Sequence, residues 1–444
     1  MSMSAPPSMS PAKPDPSAPG LHRRVGLLGA SASGIGIVLG AGVYVLVGEA
    51  AGIAGNGVWM AFLVGALLAA GTGLAYAELT SMLPEAGAAA SYARVAFGPR
   101  VGFVTGRMDI VVNAIAAPAV AIGFARYFGA LVPLDPTLIA AGVILLCAGI
   151  VLLGVSETVG VGSLFAAIEA TGLLVVIAVG IPHLGDTNLL SIEGGAVGLL
   201  GAATLVFFAY EGFEEIATLS EEVRDPTRNI PRALLIAVAA TTLIYVSVAA
   251  VAVSVIPWQA LAAADAPLAE VVRATTSDRA ADAISLIALF ATFNTVLLLL
   301  ATGPRAMYGM ARRGMLPRVV GTLWQRRGTP WVAVVIVTAV SVAFALTADI
   351  GFVAQVTNFA VFTLFVSVNG SLLRLRVTRP DLARPFRANP SIGPVSLPAL
   401  VGLGGALGLA VFMDREAFAT SLVALALGIA LSFVLVRPEA EDRS

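Results

Sequence analysis

The chain is nearly without the side chains that metal binding and redox chemistry draw on. It has one cysteine, Cys147, and two histidines, His22 and His183, far apart. A single cysteine cannot close a disulfide within the chain, and inside an apolar run it reads as a small buried hydrophobe. With so few ligands, the residues argue against a structural metal site. Charge is scarce as well: 12% of residues are Asp, Glu, Lys or Arg, against about 25% in an ordinary soluble domain. The formal net charge of −1 offers no basic footprint for a nucleic acid. There is no phosphate-binding loop with its lysine, no nucleophile elbow and no metal-ligand pair on a helix. Both an ATP-driven pump and an enzyme are disfavoured, and no cofactor is expected.

What the chain has instead is apolar length. Hydrophobic residues make up 58% of it, and mean hydropathy is +0.92. The expectation is an all-α polytopic membrane protein. Residues 1–20 are rich in Pro, Ser and Ala and read as a disordered cytoplasmic tail. They contain no apolar stretch of the signal-peptide kind, so the first span is expected to serve as the insertion signal. Twelve apolar runs of spanning length lie near 25–47, 57–82, 101–131, 136–154, 159–182, 197–219, 232–256, 281–310, 331–347, 351–375, 395–413 and 417–436. Most Arg residues between these runs fall on one side of the membrane. The other side receives Arg126, Arg273, Arg279 and Arg415, with acids such as Asp135, Glu193, Glu270 and Asp349. The positive side is the cytoplasm, which places both termini inside and makes 437–444 a second cytoplasmic tail. In the long outer connection 257–280, the segment 267–275 reads equally as a short interfacial helix or a loop.

Two spans look broken. The first holds SGIGIVLGAGVY (33–44), with Gly34, Gly36, Gly40 and Gly42 at its centre. An opened helix is tolerated at membrane depth where protein or a watery cavity satisfies the freed backbone groups. Such a break is a ligand site or, alternatively, small residues that let helices pack closely. The sixth span holds FFAYEGFEE (207–215), with Gly212 and three acids, Glu211, Glu214 and Glu215. A charge at mid-membrane costs about 2.5–3.5 kcal/mol on insertion scales. These acids therefore face a cavity or sit at a hydrogen-bonded kink. Glycine-interrupted spans five apart are the sequence pointer to two inverted repeats, spans 1–5 and 6–10. The core would cover 25–376, with spans 11 and 12 (395–436) outside it.

Four stretches carry a family resemblance: GIGIVLGAGVYVLVG (34–48), AYAELTSMLPEAGAAASYARVAFG (75–98), FFAYEGFEEIATLSEEVRDPTRNIPRAL (207–234) and ATFNTVLLLLATGPRAMYGMARRGMLP (291–317). They occur in the right order on the right spans. The chain resembles the amino acid–polyamine–organocation permeases over about 25–376, and less strongly to 436. The resemblance implies the LeuT-type fold and a secondary transporter or exchanger of amino acids or related amines, working by alternating access. It implies that Gly40-Ala41-Gly42, beside Ile37, offers backbone N–H groups to a substrate carboxylate. Helix N-termini suit anions. Where many relatives have Ser or Thr, Ala41 leaves only backbone donors. The resemblance also implies that carbonyls around Phe208, Ala209, Glu211 and Gly212 take the ammonium group, and that Phe208 is an aromatic gate.

The chain departs from the pattern in span 5. Proton-coupled relatives often carry a lysine there, and this chain has Glu169. Burial in a low dielectric favours the neutral acid, which suits a proton carrier. Holding a cation and a structural hydrogen bond are the other readings. Glu169 and Glu214 are the proton-coupling candidates, whether by symport or antiport. Glu78 and Glu85, with Arg94 and Arg100, read as inner-gate ion pairs or as topology-setting charge, and Glu78 and Arg94 join Phe208 as gating candidates. Arg107 and Asp109 are expected to pair. Asn113, Asn294 and Asn369 read as glue between helices. An extra carboxylate at Glu211 would favour cationic substrates. A non-transporting sensor and a partner-dependent subunit remain as alternatives, and the residues do not speak to oligomeric state.

Overall fold

Apolar runs punctuated by glycine and proline become helices throughout. The computed structural model describes residues 25–83, 88–154, 159–221, 223–312, 315–324 and 326–435. The tails at 1–20 and 437–444 lie outside these residues, as do His22, Arg23, Arg24, Glu85, Glu222 and Arg313.

The order begins with α1 (Leu27–Leu39) and α2 (Gly42–Ala54), separated by two residues. Then come α3 (Val58–Met82), α4 (Ala88–Phe97), α5 (Pro99–Gly129), α6 (Pro136–Leu152) and α7 (Val159–Gly180). A second interrupted element follows: α8 (Gly195–Val206), then 3-10 segments Phe207–Tyr210 and Phe213–Glu221. The chain continues with α9 (Pro226–Val255), α10 (Trp258–Ala263), α11 (Pro267–Thr275), α12 (Asp278–Arg312), α13 (Trp331–Thr347) and α14 (Ile350–Thr378). A two-residue antiparallel pair, β1 (Ser391–Ile392) and β2 (Val395–Ser396), precedes α15 (Leu397–Ala410) and α16 (Arg415–Leu435).

Among the described residues, eight helical stretches are long and apolar enough to cross a bilayer, and α1, α6, α13 and α15 are shorter apolar helices. The molecule is a multi-pass membrane protein. At 13 residues, α1 and α2 each reach about 20 Å, short of a hydrocarbon core of about 30 Å. One element pattern occurs twice: an interrupted helix, a long helix, one or two short connecting helices, a very long helix and two more. It runs from α1 to α7 and again from α8 to α14.

Local chemistry explains the helix starts. Asp135 caps α6 through the N–H groups of Thr137 and Leu138, and Asp349 caps α14 through Phe352. Capping carboxylates satisfy donors that a helix leaves open. The 267–275 segment is helix, with Leu268, Val271 and Val272 buried on one face. Two elements lie outside the twelve apolar runs or at their edge. One is α4, whose Tyr92, Ala93 and Ala96 are buried while Arg94 and Val95 face out. The other is the β1–β2 turn.

The centre is aromatic. Tyr210 packs on Tyr245 (5.5 Å between centroids), Phe207 on Phe362 (5.3 Å) and Phe213 on Phe365 (5.4 Å). Three aromatic side chains of the 207–213 stretch thus anchor the irregular segment in the core, leaving Phe208 for the neighbouring cavity.

Candidate functional site

The two interruptions meet. A Cβ built on Gly42 would lie 2.5 Å from Ala209 Cα and 2.8 Å from Ala209 Cβ, so the first turn of α2 and the 3-10 segment touch backbone to backbone. Gly212 has φ +103°, a conformation open to glycine at little cost. It turns the chain between the two 3-10 segments, against Ile37. One hydroxyl joins both breaks: Tyr245 Oη lies 2.6 Å from Val38 O and 3.0 Å from Ala209 O. Tyr44 Oη donates to the backbone oxygen of Glu169 at 2.8 Å, and Tyr127 Oη to that of Tyr44 at 3.0 Å. These buried tyrosines fasten the opened backbone to α5, α7 and α9.

Between the breaks lies a cavity of about 370 Å³. Ile37, Gly40, Ala41, Gly42, Phe208, Ala209, Glu211 and Gly212 line it, together with Glu169 and Glu214. The opposite wall comes from α5 and α12: Asp109, Asn113, Asn294, Thr295 and Thr302 among others. Thr295 Oγ1 accepts a long 3.4 Å bond from the Ala41 N–H, and Thr302 donates to Asn113 Oδ1 at 2.6 Å. Glu214 Oε2 accepts from the Gly212 N–H at 3.1 Å. Five carboxylates, Asp109, Glu169, Glu211, Glu214 and Glu215, face this space, and among the described residues its lining includes no Lys, Arg or His. Carboxylates crowded this closely either share protons or draw cations, because like charges in a low dielectric disfavour full ionisation.

Sequence reasoning did not single out Asp109, Thr295 or Thr302 for this wall. Asp109 and Arg107 do not pair, among the described residues. They are two positions apart on α5, on nearly opposite helix faces, and the Arg107 guanidinium lies 5.5 Å from the centre of the Phe103 ring. Asn113 and Asn294 line the cavity, whereas Asn369 is buried glue, donating to Thr72 Oγ1 on α3 at 3.0 Å.

Two of the gating candidates are elsewhere. Glu78 is fully buried on α3 and holds Arg376 of α14, with Nε to Oε1 at 3.0 Å and a second, Nη2–Oε2 contact. Arg384 Nε lies 3.4 Å from the same carboxylate, and the Ala388 N–H donates to it at 2.7 Å. Arg94 is exposed on α4 and takes part in no ion pair among the described residues. On the far side, Glu193 binds the turn after α2 through the N–H (2.9 Å) and side chain (3.2 Å) of Asn56. Burial pushes the Glu193 carboxyl up, but hydrogen bonds from Ser191 and Asn56 outweigh it and hold the group below the usual carboxylate range.

Known proteins resemble this chain over most of its length. A transporter of Mycobacterium tuberculosis that is itself uncharacterized is 31% identical over 418 residues, 92% of this chain and 90% of the relative. The branched-chain amino acid permease BcaP of Bacillus subtilis is 27% identical over 83% of this chain and 84% of its own. A vacuolar cationic amino acid transporter of Arabidopsis thaliana is 29% identical over 79% of this chain and 59% of its own. The amino acid permease profile matches residues 25–435, from the first turn before α1 to the end of α16. The chain thus belongs to the amino acid permease family of the amino acid–polyamine–organocation superfamily, and is a permease rather than an enzyme.

Proposed function

We propose that the chain is a secondary transporter or exchanger of amino acids or related amines in the cytoplasmic membrane, working by alternating access. The observation that carries this reading is the cavity where two interrupted helices meet, walled by five carboxylates and, among the described residues, no basic side chain. In this reading α1 with α2, and α8 with its 3-10 segments, are single broken spans. Twelve spans result, both termini are cytoplasmic, and α1–α7 and α8–α14 are inverted repeats. A substrate carboxylate sits at the first turn of α2, where unpaired N–H groups and the helix dipole favour an anion. The ammonium group lies against the 208–211 segment, and Phe208 covers it.

Charge balance limits what can enter. Five carboxylates around one small space repel one another unless cations or protons accompany the substrate. Two sources of positive charge fit: a basic substrate beside Glu211, and protons carried by Glu169 or Glu214. The test is uptake into proteoliposomes with competing arginine, lysine, putrescine, alanine and leucine. Competition by the cations supports Glu211 as the selectivity residue. Strong competition by alanine or leucine with none from the cations would remove that role. Substrate binding without accumulation would favour a sensor instead.

A further inference from the structure

The connection between α12 and α13 carries charge of one sign. From residue 283 to 348 the sequence contains no Asp or Glu, yet it holds Arg305, Arg312, Arg313, Arg318, Arg326 and Arg327. Within it a tight turn closes at 324–329. The Trp324 N–H donates to Thr329 O (2.8 Å), and the N–H groups of Arg327 and Gly328 return to Trp324 O (2.9 and 2.8 Å). Arg327 is committed: its guanidinium donates to Leu153 O at the end of α6 and lies 5.8 Å from the Trp324 ring centre. This fixes the turn on α6. Arg326 is exposed and has no ion pair or hydrogen bond among the described residues.

Arg326 stands at a second cavity, of about 570 Å³, whose other walls are Leu152, Leu323, Trp324, Trp331 and Val335. The site is one cation beside an apolar trough, where the end of α6 meets the start of α13. Trp324 is 46%, Trp331 44% and Val335 50% exposed. Tryptophan gathers where hydrocarbon meets headgroups, and an arginine stem can lie on apolar surface with its charge in the polar layer. A soluble anion would leave the apolar walls uncovered, and a neutral lipid would leave Arg326 without counter-charge. A phospholipid with a net negative headgroup satisfies both. We propose that this trough binds one anionic phospholipid, with its phosphate on Arg326 and its upper acyl chain along Leu152, Trp331 and Val335.

The full-length protein is reconstituted in phosphatidylcholine vesicles containing brominated phosphatidylglycerol or the same amount of brominated phosphatidylcholine. Quenching of tryptophan fluorescence is then read. A preference of roughly fivefold for the anionic lipid is expected from one arginine at the surface. Arg326→Gln should lose most of it and Arg326→Lys should keep it, while Trp59 and Trp258, elsewhere in the chain, contribute equally in all variants. Native mass spectrometry should show one retained phosphatidylglycerol per chain in the parent and in Arg326→Lys, and none in Arg326→Gln. Equal quenching by the two lipids, or an unaltered preference in Arg326→Gln, overturns the proposal. So does abolition of the preference by excess inorganic phosphate, which would reveal a site for the free anion alone.

Discussion

Gly40 and Gly42 are two residues apart and meet different neighbours. The methyl of Gly42→Ala would run into the Ala209 backbone at 2.5 Å, which cannot give way as a flexible side chain can. The two interrupted elements would be forced apart. Overpacking of this kind costs about 1–3 kcal/mol, so thermal unfolding in detergent should shift down. At Gly40 the added methyl meets Thr295 Oγ1 at 3.3 Å, on the cavity side. Gly40→Ala should keep the unfolding temperature and weaken substrate binding. Equal unfolding temperatures for the two variants would refute the distinction. Glu193 gives a pH-dependent case. Its folded pKa lies below the ordinary 4.5, so its stabilising effect is present above that pH and fades as pH falls through the folded value. The stability gap between the parent and Glu193→Gln should be small, because the group is exposed, and should close in acid. A gap that widens in acid would reverse the assignment.

Among elements, the join of α3 to α14 shows what a sequence withholds. Glu78 and Arg376 are 298 positions apart, and no local spacing links them. Their bond also carries the return of the chain through Ala388 into β1 and β2. Removing one partner of a buried pair leaves an uncompensated charge, at about 3–5 kcal/mol. Glu78→Gln should therefore lose that much in unfolding experiments, and a loss of under about 1 kcal/mol, the usual worth of a surface pair, would show the pair to be solvated. The helices themselves were legible, because apolar runs bounded by Gly, Pro and charge have few other outcomes in a bilayer. The glycines of 33–44 and the glycine and acids of 207–215 also stand out inside apolar runs. Asp109 was not legible as a cavity residue. Its neighbour Arg107 suggested a partner, and only the rotation of α5 decides which face each takes. The amphipathic face of α4 was present in the sequence as Tyr92, Ala93 and Ala96, but ten residues beside a loop gave too short a period to stand out.

At the scale of the whole molecule, the proposed transport rests on the cavity and its five carboxylates. Glu169 is 2% exposed at the cavity wall. If it carries a proton, Glu169→Gln should flatten the dependence of uptake on a pH gradient while leaving substrate binding within about twofold, a few tenths of a kcal/mol. Uptake by the parent that ignores a pH gradient would end that role. The tyrosine spanning the two breaks has a further consequence. Tyr245 has one hydroxyl hydrogen, and the two atoms it faces, Val38 O and Ala209 O, are both acceptors. Full-strength donation to one is withdrawn from the other. The hydroxyl therefore ties the two interrupted elements together through one shared proton, so any change that lengthens one of its two contacts strengthens the other.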